Sequence, residues 1–212
     1  MGGRKLGCGP QRLKPGQLTA SIGMAEAMPF HGDCPAFTSS RGEELMAKYH
    51  VAQVNIGRVK APVEDPMMAG FVARLDEINA LAERSPGFVW RLQTDAGNAT
   101  YFRPYPDDDS VLINMSVWET IEALRHYVYK SAHAELLRQR EAWFETFSGM
   151  YMALWWVPVG HRPGMHEATK RLAHLEKHGP TQFAFTFKKT FEPDEKFQRG
   201  IDWAAFRPCP AM

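Results

Sequence analysis

Residues 49–58, YHVAQVNIGR, alternate in character. Ala52, Val54 and Ile56 point one way and Gln53 and Asn55 the other, which predicts a half-buried strand. Asp65-Pro66 then supplies an N-cap followed by proline at the first helical position. The helix after it carries Phe71, Leu75, Ile78 and Leu81 on one face and stops at Ser85-Pro86-Gly87. A second strand spans 88–93. A polar loop through Asp95, Gly97, Asn98 and the acidic run 107–109 leads to a third, 111–118, and two strands joined this way predict an antiparallel pair. Helical spacing resumes at Thr120 and reaches about Phe144. Ser131 is able to cap a new turn, so one bent helix and two short ones are both open. Residues 152–157, with consecutive Trp155 and Trp156, predict a fourth strand covered on both faces. A helix over 167–177 turns Ala168, Leu172 and Leu175 inward, with Gly179-Pro180 as its stop signal. Phe183, Phe185 and Phe187 alternate, predicting a last strand.

The order is β-α-β-β-α-β, then an added helix and strand. It predicts an α+β fold of the ferredoxin-like βαββαβ kind, with helices on one face of an antiparallel sheet. Strands as aromatic as FVWRL and ALWWV would not tolerate an open second face. A second copy of the chain is expected to cover it, giving a homodimer in which Phe183, Phe185 and Phe187 contribute to the contact or extend the sheet.

The ends read differently. Residues 1–45 hold eight of the seventeen glycines, show no apolar periodicity and carry no acidic residue before Glu26. They are expected to be a disordered extension without a packing role, with no apolar stretch of the secretory type and poor support for a transit peptide. Met46 opens the patterned text so abruptly that it reads as an initiator. The domain is placed at 46–191 and a loose tail at 192–212, in which Trp203 and Phe206 are the residues able to dock.

A formal net charge of +1 gives no global field toward nucleic acid or an anionic membrane, and no apolar run reaches the ~18 residues of a membrane span. Cys8, Cys34 and Cys209 all lie near the ends, which argues against a disulfide framework or a zinc site in the core. Cytoplasm is the default expectation. There is no G-x-G-x-x-G, P-loop or G-x-S-x-G motif.

Trp118-Glu-Thr-Ile-Glu-Ala-Leu124, followed by His126 and Ser131-x-His133, resembles a stretch of the antibiotic-biosynthesis-monooxygenase-like dimeric α/β barrels. Pro86-Gly-Phe-Val-Trp-Arg91, Asn114-x-Ser-Val-Trp118, Tyr129-x-Ser-x-His133, Trp155-Trp-Val-Pro-x-Gly-His161 and Gly179-Pro-Thr are similar to a bacterial domain-of-unknown-function family within that superfamily. The likeness runs from about Tyr49 to Phe187. It implies a dimeric barrel with a pocket between sheet and helices.

His126, Tyr129 and His133 fall at i, i+3 and i+7, so an unbroken helix would present all three on one face. Packed over a sheet bearing Asn55, Arg91, Asn114 and Trp118, that face would line an aromatic cavity with a few polar groups. His126 or His133 is then the candidate general base, while Tyr129 and Asn114 hold a carbonyl or phenolate oxygen. The plainer alternative is a set of core aromatics and satisfied polar groups. Trp90 and Trp155 complete the expected aromatic lining. Arg91 faces inward, paired or holding an anion, or outward at the strand end; the sequence permits both. His161, in a Pro-bounded turn, sits at a pocket mouth or on a plain surface. His174 and His178 have metal-like i, i+4 spacing without a third ligand, so helix C-terminal histidines are the better account.

The function expected from these parts is a cofactor-independent, monooxygenase-like enzyme acting on an aromatic or polyketide-like small molecule, with no metal. An isomerase or cyclase would use the same groups. Two further alternatives are haem binding or degradation through His133, and a non-catalytic dimeric ligand-binding protein. The haem-degrading branch carries its ligand about a turn later, where this chain has Leu137 and Arg138.

Overall fold

The computed structural model describes residues 48–206, apart from 132 and 134–137. The extension at 1–45, Met46 and all three cysteines lie outside the described residues.

Four strands, β1 (Tyr49–Arg58), β2 (Phe88–Arg91), β3 (Val111–Trp118) and β4 (Met152–Pro158), form one sheet in the order β2-β3-β1-β4. Every pairing is antiparallel. The intervening helices are α1 (Ala69–Arg84) and α2 (Ile121–Lys130), so the chain has the ferredoxin-like βαββαβ arrangement. A 3₁₀ turn, Pro66–Met68, precedes α1, and Asp65 caps it by accepting from the Met67 N–H at 2.8 Å. The Thr120 side chain caps α2 by accepting from the Ala123 N–H at 3.1 Å.

Helix α2 ends at Ser131, whose backbone is extended at φ −102° and ψ −179°. The Ser131 Oγ accepts from the His133 N–H at 3.1 Å, as the cap of a new turn does. The long helical stretch is therefore interrupted at Ser131.

Helix α3 (Met165–His178) runs to Gly179, whose φ of +70° suits a residue without Cβ. Its Ala168, Leu172 and Leu175 pack with Ala52, Val54, Met115, Val117, Trp155 and Val157, on the sheet face opposite α1 and α2. All of these strand residues are at most 1% exposed within the single chain. The expectation that a second copy covers this face is thus corrected: α3, with the 92–110 loop and Trp203, closes it.

The expected strand at 183–187 is reduced to single bridges, Leu154 with Phe185 and Thr186 with Lys189. The region at 192–206, read as loose, is ordered here. Helix α4 (Glu195–Arg199) is capped by Asp194, and a 3₁₀ turn at Trp203–Ala205 is capped by Asp202.

Candidate functional site

Antiparallel register places Asn55 opposite Asn114, Gln53 opposite Ser116 and Val51 opposite Trp118. Alternation turns these six side chains to the α1/α2 face. Trp118 is fully buried, and Gln53 and Ser116 are 7% exposed. Asn114 is the one exposed residue of β3, and Asn55 is half-buried beside it. The helices therefore leave a patch of sheet uncovered where two carboxamides lie side by side.

A hydrogen-bond chain leads to that patch. The Trp118 indole N–H donates to the Ser116 Oγ at 2.9 Å, and the Ser116 hydroxyl donates to Gln53 Oε1 at 3.0 Å. Gln53 Nε2 then donates to Asn55 Oδ1 at 2.7 Å. Three hydrogen bonds thus link four buried or half-buried side chains in sequence.

Above Trp118 the rings stack. Tyr127 lies 5.0 Å from Trp118 at 28°, and His133 lies 4.7 Å from Tyr127 at 40°. The Tyr127 hydroxyl donates to the Ile78 carbonyl at 3.4 Å, and burial pushes its pKa up. Burial also pushes the His133 imidazole below its usual value, with the Val128 carbonyl partly opposing. The ring is neutral at pH 7. Arg91, in register with Ser116, is buried and paired with Glu83 through Nε at 2.9 Å and a terminal nitrogen at 2.8 Å. That settles its direction as inward, with its charge balanced by a carboxylate of α1.

Asn55, Arg91, Asn114, Trp118 and His133 are thus gathered on one side of the sheet. The other expected residues are elsewhere. The buried stripe of α2 is Ile121, Leu124 and Tyr127, which leaves His126 and Tyr129 on exposed positions. Tyr129 packs edge-on against Phe187 at 5.5 Å. The break at Ser131 undoes the i, i+7 relation that was to join His126 to His133. Trp90 and Trp155 belong to the α3 face.

His161 lies on the α3 side as well, in a buried charge network. Its Nε2 is 2.7 Å from Glu167 Oε2. Glu167 Oε1 accepts from the Trp155 indole at 2.8 Å and from Arg171 at 3.0 Å. Arg171 also donates to the Phe183 carbonyl at 2.6 Å and lies over the Phe183 ring at 3.9 Å, with Trp203 and Phe206 near. Desolvation lowers its pKa to about 10. His174 meets Thr181 Oγ1 at 2.8 Å, and among the described residues no group of three or more metal-ligating side chains forms. A depression of about 740 Å3 between α3 and the C-terminal segment is lined by Lys170, Phe183, Asp194, Phe206 and neighbours. It is broad and open, and through Phe183 and Phe206 it borders the Arg171 network rather than the Asn55–Asn114 patch.

Glu83, Tyr127, Glu167 and Arg171 were not singled out from sequence. Glu167 and Arg171 could have been, because both flank the inward stripe of Ala168, Leu172 and Leu175 at i, i+4 spacing.

Comparison with curated proteins finds no match. Among solved structures, SnoaB, a cofactor-independent oxygenase from Streptomyces nogalater, is 21% identical over 54% of this chain and 94% of that one, with a TM-score of 0.34. A protein of unknown function from Nitrosomonas europaea, NE2512, is 12% identical over 54% and 93%, at 0.36. PA3566 from Pseudomonas aeruginosa is 11% identical over 55% and 97%, at 0.35. None of these likenesses bears on the chemistry of this chain. A family model described as a domain of unknown function (DUF3291) matches residues 50–200, from the first strand through the C-terminal helix α4, and the chain belongs to that family.

Proposed function

We propose that the protein binds a flat, oxygen-bearing small molecule, aromatic or polyketide-like, on the Asn55–Asn114 patch and acts on it by removing a proton. The observation that carries this reading is Asn114, exposed in an otherwise buried interior strand with a second carboxamide directly across. An exposed carboxamide beside a half-buried one, on the side of the sheet that helices cover, suits a ligand oxygen. The stacked Trp118 and Tyr127 rings lie on the same side of the sheet and make an apolar neighbour for the patch.

His133 is the proposed base. Burial keeps its imidazole neutral, the form that accepts a proton near pH 7. Asn55 and Asn114 then hold the oxygen on which charge collects as the proton leaves. Where the resulting carbanion is electron-rich, it gives one electron to dioxygen, the radical and superoxide combine to a C–O bonded hydroperoxide, and loss of water leaves a new carbonyl, so the substrate supplies every electron and no tightly bound cofactor is needed. His126 and Tyr129 stand outside this set.

The test is oxygen uptake in air with anthrone, an aromatic ketone with an acidic CH2, against an anaerobic control. Uptake above background, cut at least tenfold by His133→Gln and by Asn114→Ala, supports the reading. Anthrone binding without turnover in any variant would reduce the protein to a ligand carrier.

A further inference from the structure

We propose that Gln53 and Ser116 are positioning residues that fix the polarity of the patch, so that Asn55 presents N–H donors to the ligand and never its carbonyl. The ligand group placed there is accordingly an acceptor, a ketone, enolate or phenolate oxygen. This rests on the Asn55–Asn114 patch being the ligand site.

The argument begins at Trp118, because an indole N–H donates and has nothing to accept with. It gives its proton to the Ser116 Oγ. Ser116 has one proton of its own, and its other partner is Gln53. Giving that proton to Gln53 Oε1 satisfies both groups. The reverse orientation would bring two donors onto Ser116 and strand its proton at a position only 7% exposed. With its oxygen committed to Ser116, the Gln53 carboxamide turns its nitrogen to Asn55, whose Oδ1 accepts at 2.7 Å. The Asn55 oxygen is held toward Gln53 with one lone pair engaged, which leaves its two N–H donors as the end available to a ligand. A carboxamide free to rotate would offer either end. This one is held by three successive hydrogen bonds that start from a group with a single polarity.

Asn114 has no such support and is exposed, so it adapts to whatever the ligand presents. One fixed donor beside one adaptable amide selects acceptor oxygens while tolerating variety around them.

The experiment is calorimetric binding of two probes that share one naphthalene ring, 2-acetylnaphthalene, which only accepts, and 2-naphthylamine, whose amino group donates. The wild type should prefer the ketone by about tenfold, the effect of one mispaired buried donor. In Gln53→Glu the carboxylate still accepts from Ser116 but has no proton for Asn55. Asn55 must then turn its amino group inward and its carbonyl outward, and the preference should reverse. Gln53→Leu serves where the buried carboxylate prevents folding: it frees Asn55 to rotate, and the two affinities should converge within about threefold. A folded Gln53→Glu or Gln53→Leu protein that keeps the wild-type preference overturns the inference and leaves the ligand patch standing. Failure of the wild type to bind either probe overturns both.

Discussion

Glu167 and Arg171, one turn apart on α3, are both fully buried and meet at 3.0 Å. The pair sits between sheet and C-terminal segment, where Trp155, His161 and Phe183 supply the remaining contacts to it. Removing one member strands the other charge. Arg171→Met should cost about 3–5 kcal/mol in urea unfolding, whereas the double change Arg171→Met with Glu167→Gln should recover a large part of that loss. Equal losses in the single and double variants would show that the two charges are not coupled.

Trp203 joins the C-terminal segment to this network. Its ring packs edge-on against His161 at 4.8 Å, and its indole donates to the Gln198 carbonyl at 3.2 Å. Trp203→Ala should lower stability by about 3–5 kcal/mol, as large aromatic truncations at packed sites do. A variant ending at residue 191 should lose at least as much. An unchanged melting temperature in both would make the segment an ornament.

His133 sets a pH dependence whose sign follows from burial. The folded chain holds its pKa below the ordinary 6.5, so the unfolded chain takes up the proton first. Stability is therefore intact above about pH 6.5 and falls as pH drops below it, until the folded group also protonates. His50 and His174 are lowered by burial too and share in the slope. His133→Gln should flatten the fall below pH 6.5 by at most about 1.4 kcal/mol per pH unit, one proton's worth. An identical profile in the variant would place the imidazole in solvent.

Gly57 lies under the Phe144 ring, and a Cβ there would come within 2.8 Å of it. Gly57→Ala should push Phe144 aside and cost about 1–3 kcal/mol through overpacking, read by thermal unfolding. Phe144→Leu in the same background should recover part of the loss by making room. A neutral Gly57→Ala would mean the ring moves freely.

Much of the architecture was readable because local signals agreed. The alternation of 49–58 and 111–118, the Asp65-Pro66 start and the Gly179 stop coincide with element ends in the structure. The destination of α3 was not readable: an apolar stripe says that a helix packs, not which sheet face receives it. The phenylalanines at 183, 185 and 187 show the same limit. They alternate, yet Phe183 lies against Arg171, Phe185 bridges to Leu154 and Phe187 meets Tyr129. Three separate partners satisfy the pattern without a ladder. The common sheet face of Asn55, Asn114 and Trp118 was legible because period-two alternation survives pairing. The shared face expected of His126, Tyr129 and His133 does not form, because a spacing argument needs an unbroken helix, and Ser131 is extended.

Helices from one chain packed on both sheet faces have a consequence for how copies can meet. Among the described residues the apolar side chains of β1 and β3 are all buried, which leaves face-to-face stacking, the usual route by which exposed sheets coalesce, little apolar surface at the sheet centre. Sideways growth is left to the outer strands. The rim of β4 is taken at its centre, where Leu154 and Phe185 exchange two backbone hydrogen bonds of 2.8 Å. The rim of β2 is four residues long and irregular between Phe88 and Trp90, a poor template for an added strand. A second copy that extended the sheet would have to displace the Leu154–Phe185 bridge on one side or lengthen β2 on the other.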